Sequence, residues 1–236
     1  MFNYEIGGMD WDLAYDIEHL KNGNFLISGD TWSQGTNNSS DFYLFEIDTL
    51  GNIVWEQTYG YPGSDISGAN SLLLNNKGEI YICGKTELNT GNNTAWLIKT
   101  DSVGNMLWEK KYDRGEYYDG FNGIQIAKDG NLILSGSTQN YDHPNIPATG
   151  WLLKVDTLGN IIWERLISKY NNQNNSSEYI NDMKISDDGF IYLSGYVSSG
   201  GVFTNGIYHG NDGWLCKTDS CGFTTGAQPQ ALLIVD

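Results

Sequence analysis

The chain has 236 residues, of which 39% are hydrophobic and 13% aromatic, and its 29 acidic and 13 basic residues give a net charge of −16 at pH 7. No basic cluster interrupts this charge, so repulsion disfavours binding to a nucleic-acid backbone or an anionic membrane surface. No apolar run of about 18 residues or more is present, so we expect no membrane-spanning segment. A chain of this length can bury the core of one domain without a metal ion or a disulfide.

Four copies of one repeat follow each other along the chain. Its first regular segment reads NGNFLISG, KGEIYICG, DGNLILSG and DGFIYLSG, and the two glycines of each copy have the same spacing. The first glycine follows Asn, Lys or Asp, a dipeptide that favours a tight hairpin turn because glycine accepts positive φ. The segment therefore predicts two antiparallel strands joined by a short turn, repeated four times.

The second segment of the repeat follows each copy of the first. It reads DFYLFEIDTLGNIVWEQTY, TAWLIKTDSVGNMLWEKKY, TGWLLKVDTLGNIIWERLI and, in a shorter form, DGWLCKTDSCGF. Asp-x-x-Gly is a turn signal that here joins a third strand to a fourth. Four short antiparallel strands in each of several repeats are typical of propeller blades. The sequence thus predicts an all-β fold, a four-bladed β-propeller in which each blade is a four-stranded antiparallel sheet.

The boundaries of the repeats give the expected domain organisation. We predict one propeller over residues 1–223, with blades at about 10–59, 65–112, 119–167 and 178–221, and a tail or linker at 224–236. The fourth copy lacks its last strand, and Phe2 to Ile6 aligns with Trp55 to Tyr59. Residues 2–6 are therefore expected to complete the fourth blade and to close the ring as a monomer. A fragment of a longer propeller would have the same strand order, and this alternative stays open.

Most aromatic residues and all cysteines fall in repeated positions. Tryptophan or tyrosine begins the third strand and tryptophan lies in the fourth, so we predict that these side chains pack between blades. They are Tyr43, Trp96, Trp151 and Trp214 in the third strands and Trp55, Trp108 and Trp163 in the fourth. Cys83, Cys216 and Cys221 replace ordinary residues of the repeat and fit no zinc pattern, so we interpret them as structural. A Cys216 to Cys221 bridge is the alternative.

The complete repeat, with D-G-x-apolar-x-apolar-S-G followed by W-L-apolar-K-x-D-x-x-G-N-apolar-x-W-E, resembles the repeat propellers of secreted bacterial proteins exported by type IX secretion. The resemblance covers about residues 2–223. The D-x-x-G-N-x-x-W-E stretch is also similar to the tryptophan-docking motif of quinoprotein propellers, whose cofactor ligands have no counterpart in this chain. The resemblance implies secretion or display at the cell surface, and it implies no defined activity.

The two faces of the predicted propeller differ in their loops. One face carries only tight turns, and the other carries the irregular connections, where recognition sites usually lie. Aromatic rings in these connections suit stacking on sugars or an organic cation. The candidate ligand-binding residues are Trp11, Trp32, Tyr61, Tyr117, Tyr118, Tyr141, His143, Tyr179, Tyr208 and His209. The alternative is that these side chains only cover the ends of the blades.

Carboxylates also recur at one position of the repeat. Asp12, Asp119 and Glu178 stand just before the innermost strands, and Ser67 takes this position in the second copy. In a closed ring they would surround the axis, and converging carboxylates suit Ca²⁺, so these three acidic residues are the candidate metal ligands. The alternative is that each one caps its own turn. The sequence requires no other cofactor.

The motifs of common enzyme classes are not found in this sequence, which has no nucleophile elbow, HExxH or phosphate loop. We therefore interpret the chain as an extracellular binding module that recognises a glycan or another small polar molecule on its loop-rich face. An enzyme whose acid-base site is built from Tyr, His and Asp of several loops stays an open alternative, with its catalytic residues unknown. A structural spacer in a larger surface protein is the third possibility.

Overall fold

The computed structural model describes residues 5–35, 39–61, 67–87, 92–114, 118–139, 148–168, 177–204 and 207–223, with the backbone alone for residues 67, 199–204 and 207–210. These residues form fifteen strands and no helix. The strands are β1 (Asp12–His19), β2 (Phe25–Thr31), β3 (Asp41–Ile47), β4 (Ile53–Tyr59), β5 (Ser67–Leu74), β6 (Ile80–Glu87), β7 (Asn93–Thr100), β8 (Met106–Tyr112), β9 (Tyr118–Ile126), β10 (Leu132–Gln139), β11 (Thr149–Val155), β12 (Ile161–Ile167), β13 (Ser177–Ile185), β14 (Ile191–Thr204) and β15 (Ile207–Thr218). Within the described ranges, no helix is long and apolar enough to cross a membrane.

The strands pair in chain order as antiparallel sheets, which confirms the predicted all-β class. We call β1 to β4 sheet 1, β5 to β8 sheet 2, β9 to β12 sheet 3 and β13 to β15 sheet 4. Each sheet corresponds to one copy of the repeat. The chain divides into two compact units, Met1–Asp113 with sheets 1 and 2, and Arg114–Asp236 with sheets 3 and 4.

The turns predicted from the repeats form as expected. In the first Asp-x-x-Gly turn, the Asp48 carboxylate accepts hydrogen bonds of 2.8 Å from the backbone N–H groups of Leu50 and Asn52. Gly51 has a φ of 90°, in the left-handed region that favours glycine. The same bonds recur around Asp101, Asp156 and Asp219.

The second glycine of each repeat has a different role, which is close packing. A Cβ atom on Gly29 would overlap the backbone carbonyl of Leu13, and the other three glycines meet the innermost strand in the same way. These are Gly84 against Gly68, Gly136 against Gly120 and Gly195 against Tyr179. At each contact the innermost strand has a β-bulge, an irregularity of register that re-aims one side chain. In sheet 1 the bulged residue is Tyr15.

Each unit has its own apolar core. In the first unit the core lies between sheets 1 and 2, and in the second unit it lies between sheets 3 and 4. The buried aromatic residues of the third strands take part in both, with Trp96 in the first and Trp214 in the second. Phe42 of sheet 1 packs on Trp96 of sheet 2 with ring centroids 4.6 Å apart. Trp96 and Trp214 therefore pack between sheets, as predicted, whereas Tyr43 packs in a cluster of sheet 1 with Ile6.

The tryptophans of the fourth strands are only partly buried, so the prediction that they are largely buried between sheets is wrong in degree. Trp55, Trp108 and Trp163 all have intermediate exposure. Trp55 lies over Gly104 of sheet 2, where a Cβ would be 2.7 Å from its ring, and Trp163 lies in the same way over Gly222 of sheet 4. Because the fourth strand is the outer edge of its sheet, one part of the ring covers a turn of the next sheet and the rest faces solvent.

The N-terminal segment packs on sheet 1. Ile6 contacts a buried cluster that includes Ile27, Tyr43 and Phe45 of this sheet. Tyr59, which aligns with Ile6, packs likewise on the core formed with sheet 2. Residues 1–4 lie outside the described part of the chain. The contact of Ile6 with sheet 1 is expected both for a closed ring and for a fragment of a longer propeller, so it does not distinguish them. Ring closure by Phe2 to Ile6 and the number of blades therefore stay predictions.

One face of sheet 1 is less covered than its counterparts. Ile17 is 58% exposed, whereas Leu72 and Met183, at the same repeat position in sheets 2 and 4, are 6% and 1% exposed. Leu13 is also exposed, and a cavity of about 240 Å³ lies beside it, with Ile6 and Asp12 in its wall. A closed ring requires a neighbour on this face.

All three cysteines are free thiols. Cys83 and Cys216 are buried, and Cys221 is exposed. The alternative of a Cys216 to Cys221 bridge is therefore wrong. Burial raises the pKa of the Cys216 thiol to about 11, as expected for an unreactive core cysteine.

A substitution at a strand glycine tests the importance of the close backbone contact. We expect Gly84→Ala to lower the free energy of unfolding by about 3 kcal/mol or more, because the carbonyl of Gly68 and the ring of Phe42 both occupy the space of the new Cβ. Gly213→Ala is the matched control, since nothing lies within 4 Å of a Cβ at this strand position. Urea unfolding measures both variants, and equal stabilities would contradict the argument.

Candidate functional site

The two tryptophans outside the repeat slots come together at one end of sheet 1. Trp11 directly precedes β1 and Trp32 directly follows β2, and Asp12 pairs with Thr31 between them. The backbone N–H of Trp32 donates a hydrogen bond of 2.9 Å to the carbonyl of Trp11. Trp11 is 73% exposed and Trp32 36% exposed. This end of the sheet carries the loop that joins β2 to β3, as the sequence predicts for the loop-rich face.

The Asp12 carboxylate fixes the backbone around these tryptophans. It accepts hydrogen bonds from the Gly8 backbone N–H at 2.8 Å, from the Ser33 hydroxyl at 2.7 Å and from the Thr31 hydroxyl. The Ser33 hydroxyl oxygen also accepts from the N–H groups of Gly8 and Asp10. Burial by itself raises the pKa of Asp12, but these hydrogen bonds outweigh it and lower the pKa below its usual value. Asp12 therefore ties the segment before β1 to the segment after β2.

A second carboxylate, Asp30, lies next to this frame in the interior. It is 4% exposed, and it accepts hydrogen bonds from the Tyr15 hydroxyl at 2.9 Å and from the backbone N–H of Ala69 in sheet 2 at 3.1 Å. Burial raises the pKa of Asp30 to about 6, although both hydrogen bonds and the charge of Lys85 oppose the shift. Burial also lowers the pKa of Lys85, against the attraction of Asp30. Tyr15, Asp30 and Lys85 thus form a titratable cluster between sheets 1 and 2.

None of these three residues is among the site residues predicted above, although the repeat contains a signal for them. The residue after the strand glycine is Asp30, Lys85, Ser137 or Tyr196, so its chemistry changes where the neighbouring positions repeat. The position also links neighbouring sheets. In the second unit, the Ser137 hydroxyl accepts a hydrogen bond of 3.3 Å from the Ile180 N–H, as Asp30 does from Ala69. Asp30 therefore has a structural role in addition to any chemical one.

The two carboxylates of sheet 1 lie on opposite faces of the sheet. Asp12 bonds the side chain of Thr31, and Asp30 is the residue before Thr31 in the same strand. Side chains of successive strand residues point to opposite faces, so the Asp12 and Asp30 carboxylates diverge. They do not form one acid-base pair, even though one pKa is lowered and the other raised.

The other predicted aromatic residues of the ligand face lie in different places. Tyr61 packs on Trp96, donates its hydroxyl proton to Glu109 and lies under the Lys111 ammonium, 3.6 Å from the ring centre. It is therefore held by the scaffold.

The remaining aromatic residues and histidines belong to the second unit or fall outside the described side chains. Tyr118 and Tyr179 lie at the starts of strands β9 and β13, and not in loops as predicted. Burial raises the pKa of Tyr118 to about 12, and Tyr179 stacks on Tyr196 with centroids 4.8 Å apart. Tyr208 and His209 lie in strand β15, where the sequence predicts a loop. Their side chains are outside the described part. Tyr117, Tyr141 and His143 are also outside it.

The candidate metal ligands are each held by local contacts. Asp119 is fully buried and accepts a hydrogen bond of 2.9 Å from the backbone N–H of Arg114, five residues earlier in the chain. Asp12 makes the corresponding bond to Gly8, and Glu178 is also buried. Across the ranges described, no group of three or more His, Cys, Asp and Glu side chains could hold a metal ion. Asp12 and Asp119 each accept a hydrogen bond from a backbone N–H a few residues earlier in the chain, and Ca²⁺ binding stays a prediction.

Comparison with known proteins identifies a fold and no family. No family model matches the chain, and no curated protein matches it in sequence. Among solved structures, the native Bacillus subtilis arabinanase Arb43A matches with a TM-score of 0.51 and 14% identity, over 95% of this chain and 82% of that chain. A GH43 endo-arabinanase from Bacillus licheniformis matches with a TM-score of 0.47 and 14% identity, over 93% of this chain and 78% of that chain.

The likeness to the first of these structures supports the predicted fold. The Bacillus subtilis arabinanase is a β-propeller, and the present chain is likewise an all-β protein of antiparallel sheets with a propeller fold. That arabinanase has five blades, so the comparison does not confirm the predicted number of four. The comparison also does not test the resemblance to secreted repeat propellers.

The raised pKa of Asp30 predicts a pH dependence of stability. The folded chain keeps the Asp30 proton up to about pH 6 and the unfolded chain only to about pH 4, so this group reduces stability as pH rises through that window. We expect Asp30→Asn to raise the free energy of unfolding at pH 7 by about 1 to 3 kcal/mol, with no difference from the wild type near pH 4. Urea unfolding at several pH values measures this.

Asp48 provides a control of opposite sign. Hydrogen bonds from the Asn52 side chain and backbone lower the pKa of this exposed carboxyl, so its ionised form stabilises the fold above about pH 4. Asp48→Asn should therefore lower stability at pH 7. A loss of stability for both variants at pH 7 would contradict the assignment of Asp30.

Proposed function

We propose that the chain is an extracellular or cell-surface binding module that recognises a glycan at the loop-rich end of sheet 1. The observation that carries this proposal is the exposed Trp11 ring on a segment whose backbone is tied down by Asp12 and Ser33. An aromatic ring on a backbone fixed in this way favours binding, because no backbone conformational entropy is lost when a ligand covers the ring. Trp32, directly after β2, donates its backbone N–H to the Trp11 carbonyl.

The polar groups near the tryptophans suit a neutral polyol. Asp10 is exposed beside Trp11, and the Gln34 amide, which bonds Glu56 at 3.2 Å, follows closely after Trp32. Carboxylates and amides accept and donate hydrogen bonds to hydroxyl groups, while aromatic rings pack on the apolar faces of a sugar. The Asp10 and Asp12 carboxylates on either side of Trp11 in the chain disfavour an anionic ligand at this surface. A neutral sugar chain satisfies all of these conditions.

The similarity of fold suggests the first ligand to examine. The Bacillus subtilis protein is named as an arabinanase, so an arabinan oligosaccharide is the first probe for this chain. One fold hosts many functions, so the argument for binding depends on the residues of the site. The resemblance of the repeats to those of secreted bacterial propellers supports an extracellular location, and the acidic surface is compatible with one.

A second candidate function is glycan hydrolysis, and Asp30 is the observation that favours it. A carboxyl with a pKa near 6 can act as a general acid, and such perturbed groups concentrate at functional sites. Tyr15, whose hydroxyl donates a hydrogen bond to Asp30, is 47% exposed. Release of reducing ends from arabinan measures this activity. Hydrolysis that is lost in Asp30→Asn, while the variant stays folded, would replace the binding proposal with an enzyme.

Removal of the exposed ring tests the binding proposal. We expect Trp11→Ala to weaken the binding of an arabinan oligosaccharide by about 1 kcal/mol or more, because the stacking surface is lost. The melting temperature should stay unchanged, since the Trp11 side chain is exposed and outside the apolar cores. Isothermal titration calorimetry measures the affinity, and differential scanning calorimetry measures the melting temperature.

Leu50→Ala is the matched control, since this exposed apolar side chain lies in an Asp-x-x-Gly turn at the opposite end of sheet 1. It should leave sugar binding unchanged. A glycan array extends the search if arabinan does not bind. The absence of binding to every glycan, or binding that survives the loss of both Trp11 and Trp32, would overturn the proposal.

A further inference from the structure

A cavity of about 440 Å³ lies between sheets 3 and 4 of the second unit, at the end that carries the tight turns. This is the opposite end from the predicted ligand face. Its wall includes Ala127, Lys128, Trp163, Asp188 and Cys221. A volume of several hundred cubic ångströms, apolar walls and a few polar groups are typical of small-molecule sites.

The repeats themselves explain why the cavity exists. Ala127 occupies the repeat position that Leu20 occupies in sheet 1, and the Leu20 side chain packs against the core of the first unit. The part of sheet 1 that corresponds to the cavity wall also contains Glu46. Its carboxylate accepts hydrogen bonds from the indole N–H of Trp55 at 2.6 Å and from the side chains of Asn22 and Asn24. In sheet 3 the position of Glu46 is taken by Lys154, whose ammonium turns to Asp129. Because Ala127 is smaller than leucine and the Lys154 side chain points to Asp129, the space between sheets 3 and 4 stays open.

The apolar part of the cavity suits a flat ring. Trp163 is partly buried, and it lines the cavity together with Ile133 and Ile185. Aromatic rings pair with each other in offset or edge-to-face arrangements that add to the energy of burial. An aromatic ligand therefore gains both burial and a specific partner in this cavity.

The charged groups of the cavity leave one positive charge unpaired. Lys154 and Asp129 form an ion pair of 2.6 Å. Asp188 accepts a hydrogen bond from the Ser186 hydroxyl, and this bond and the charge of Lys217, which lies outside the cavity wall, lower the pKa of Asp188. The stem of Lys128 passes over Gly189, 3.6 Å from the place of a Cβ atom. Over the ranges that the structure describes, the Lys128 ammonium makes no ion pair. The charged group available to a ligand is therefore the Lys128 ammonium.

We infer that this cavity binds a small aromatic carboxylate, with its ring against Trp163 and its carboxylate at the Lys128 ammonium. The site is independent of the proposed glycan site. The net charge of the protein does not prevent binding of an anion here, because at physiological ionic strength charges beyond about 8 Å are largely screened.

A pair of probes with the same ring and opposite charge tests the class of ligand. We expect 2-naphthoate to bind the full chain in a titration followed by tryptophan fluorescence and by calorimetry. Naphthalen-2-ylmethanamine should bind at least about tenfold more weakly, since its ammonium faces Lys128. No binding of 2-naphthoate at millimolar concentration, or equal binding of both probes, would overturn the inference.

Two variants test the location of the site. Ala127→Leu introduces the residue that sheet 1 already has at this position, so the chain should fold and 2-naphthoate should no longer bind. Lys128→Gln removes only the charge and should weaken binding at least about fivefold. Lys21→Gln is the matched control, because Lys21 is the counterpart of Lys128 in sheet 1. Binding that survives Ala127→Leu in a folded chain, or equal effects of the two lysine variants, would overturn the assignment.

Cys221 provides an independent measurement of occupancy. It is exposed and lines the cavity, whereas Cys83 and Cys216 are buried. Alkylation of the folded chain by iodoacetamide should therefore modify Cys221 first, and saturating 2-naphthoate should slow this reaction. An alkylation rate of Cys221 that does not change with 2-naphthoate would place the ligand elsewhere.

Discussion

The close approach of a backbone carbonyl to the second glycine of each repeat is the contact on which the rest of the structure depends. At Gly29 and Gly136, and at the two equivalent glycines, a Cβ atom would overlap the innermost strand. The approach produces the bulge that directs Tyr15 to Asp30 in the first unit. In the second unit the bulged Asn122 donates its side-chain N–H to the Ile180 carbonyl of the next sheet at 2.6 Å. One steric requirement thus sets the sheet geometry and the bonds between sheets.

The repeated framework makes single departures from the repeat informative. Within a constant backbone, a change of residue at one position changes the local chemistry without changing the fold. Asp30 places a buried carboxylate where Ser137 places a hydroxyl, and both accept a backbone N–H of the next sheet. Ala127 opens a cavity at the position where Leu20 contributes to a core. The candidate sites of this chain lie at such departures, at both ends of the sheets.

Much of the fold could be predicted because turn chemistry is local. Asp48 and its counterparts bond N–H groups within four residues, so their spacing alone predicts the turns and the strand order. Burial could not be predicted in the same way. Trp55 and Trp96 both occur in regular repeat positions, but Trp55 belongs to an edge strand and is only partly buried, while Trp96 is fully buried. The length of the last hairpin, up to Thr204, depends on pairing that carries no turn signal.

The sequence by itself determined the all-β class, the four repeats, the turns and the position of Trp11 and Trp32 on the loop-rich end. These features follow from spacing, turn residues and strand alternation, which act over a few residues. The tertiary structure alone decided the pKa of Asp30. This pKa depends on burial and on contact with the neighbouring sheet, where Ala69 lies 39 residues further along the chain. It also decided where space remains beside Ala127, since a cavity is set by side chains from two sheets and has no local pattern in the sequence.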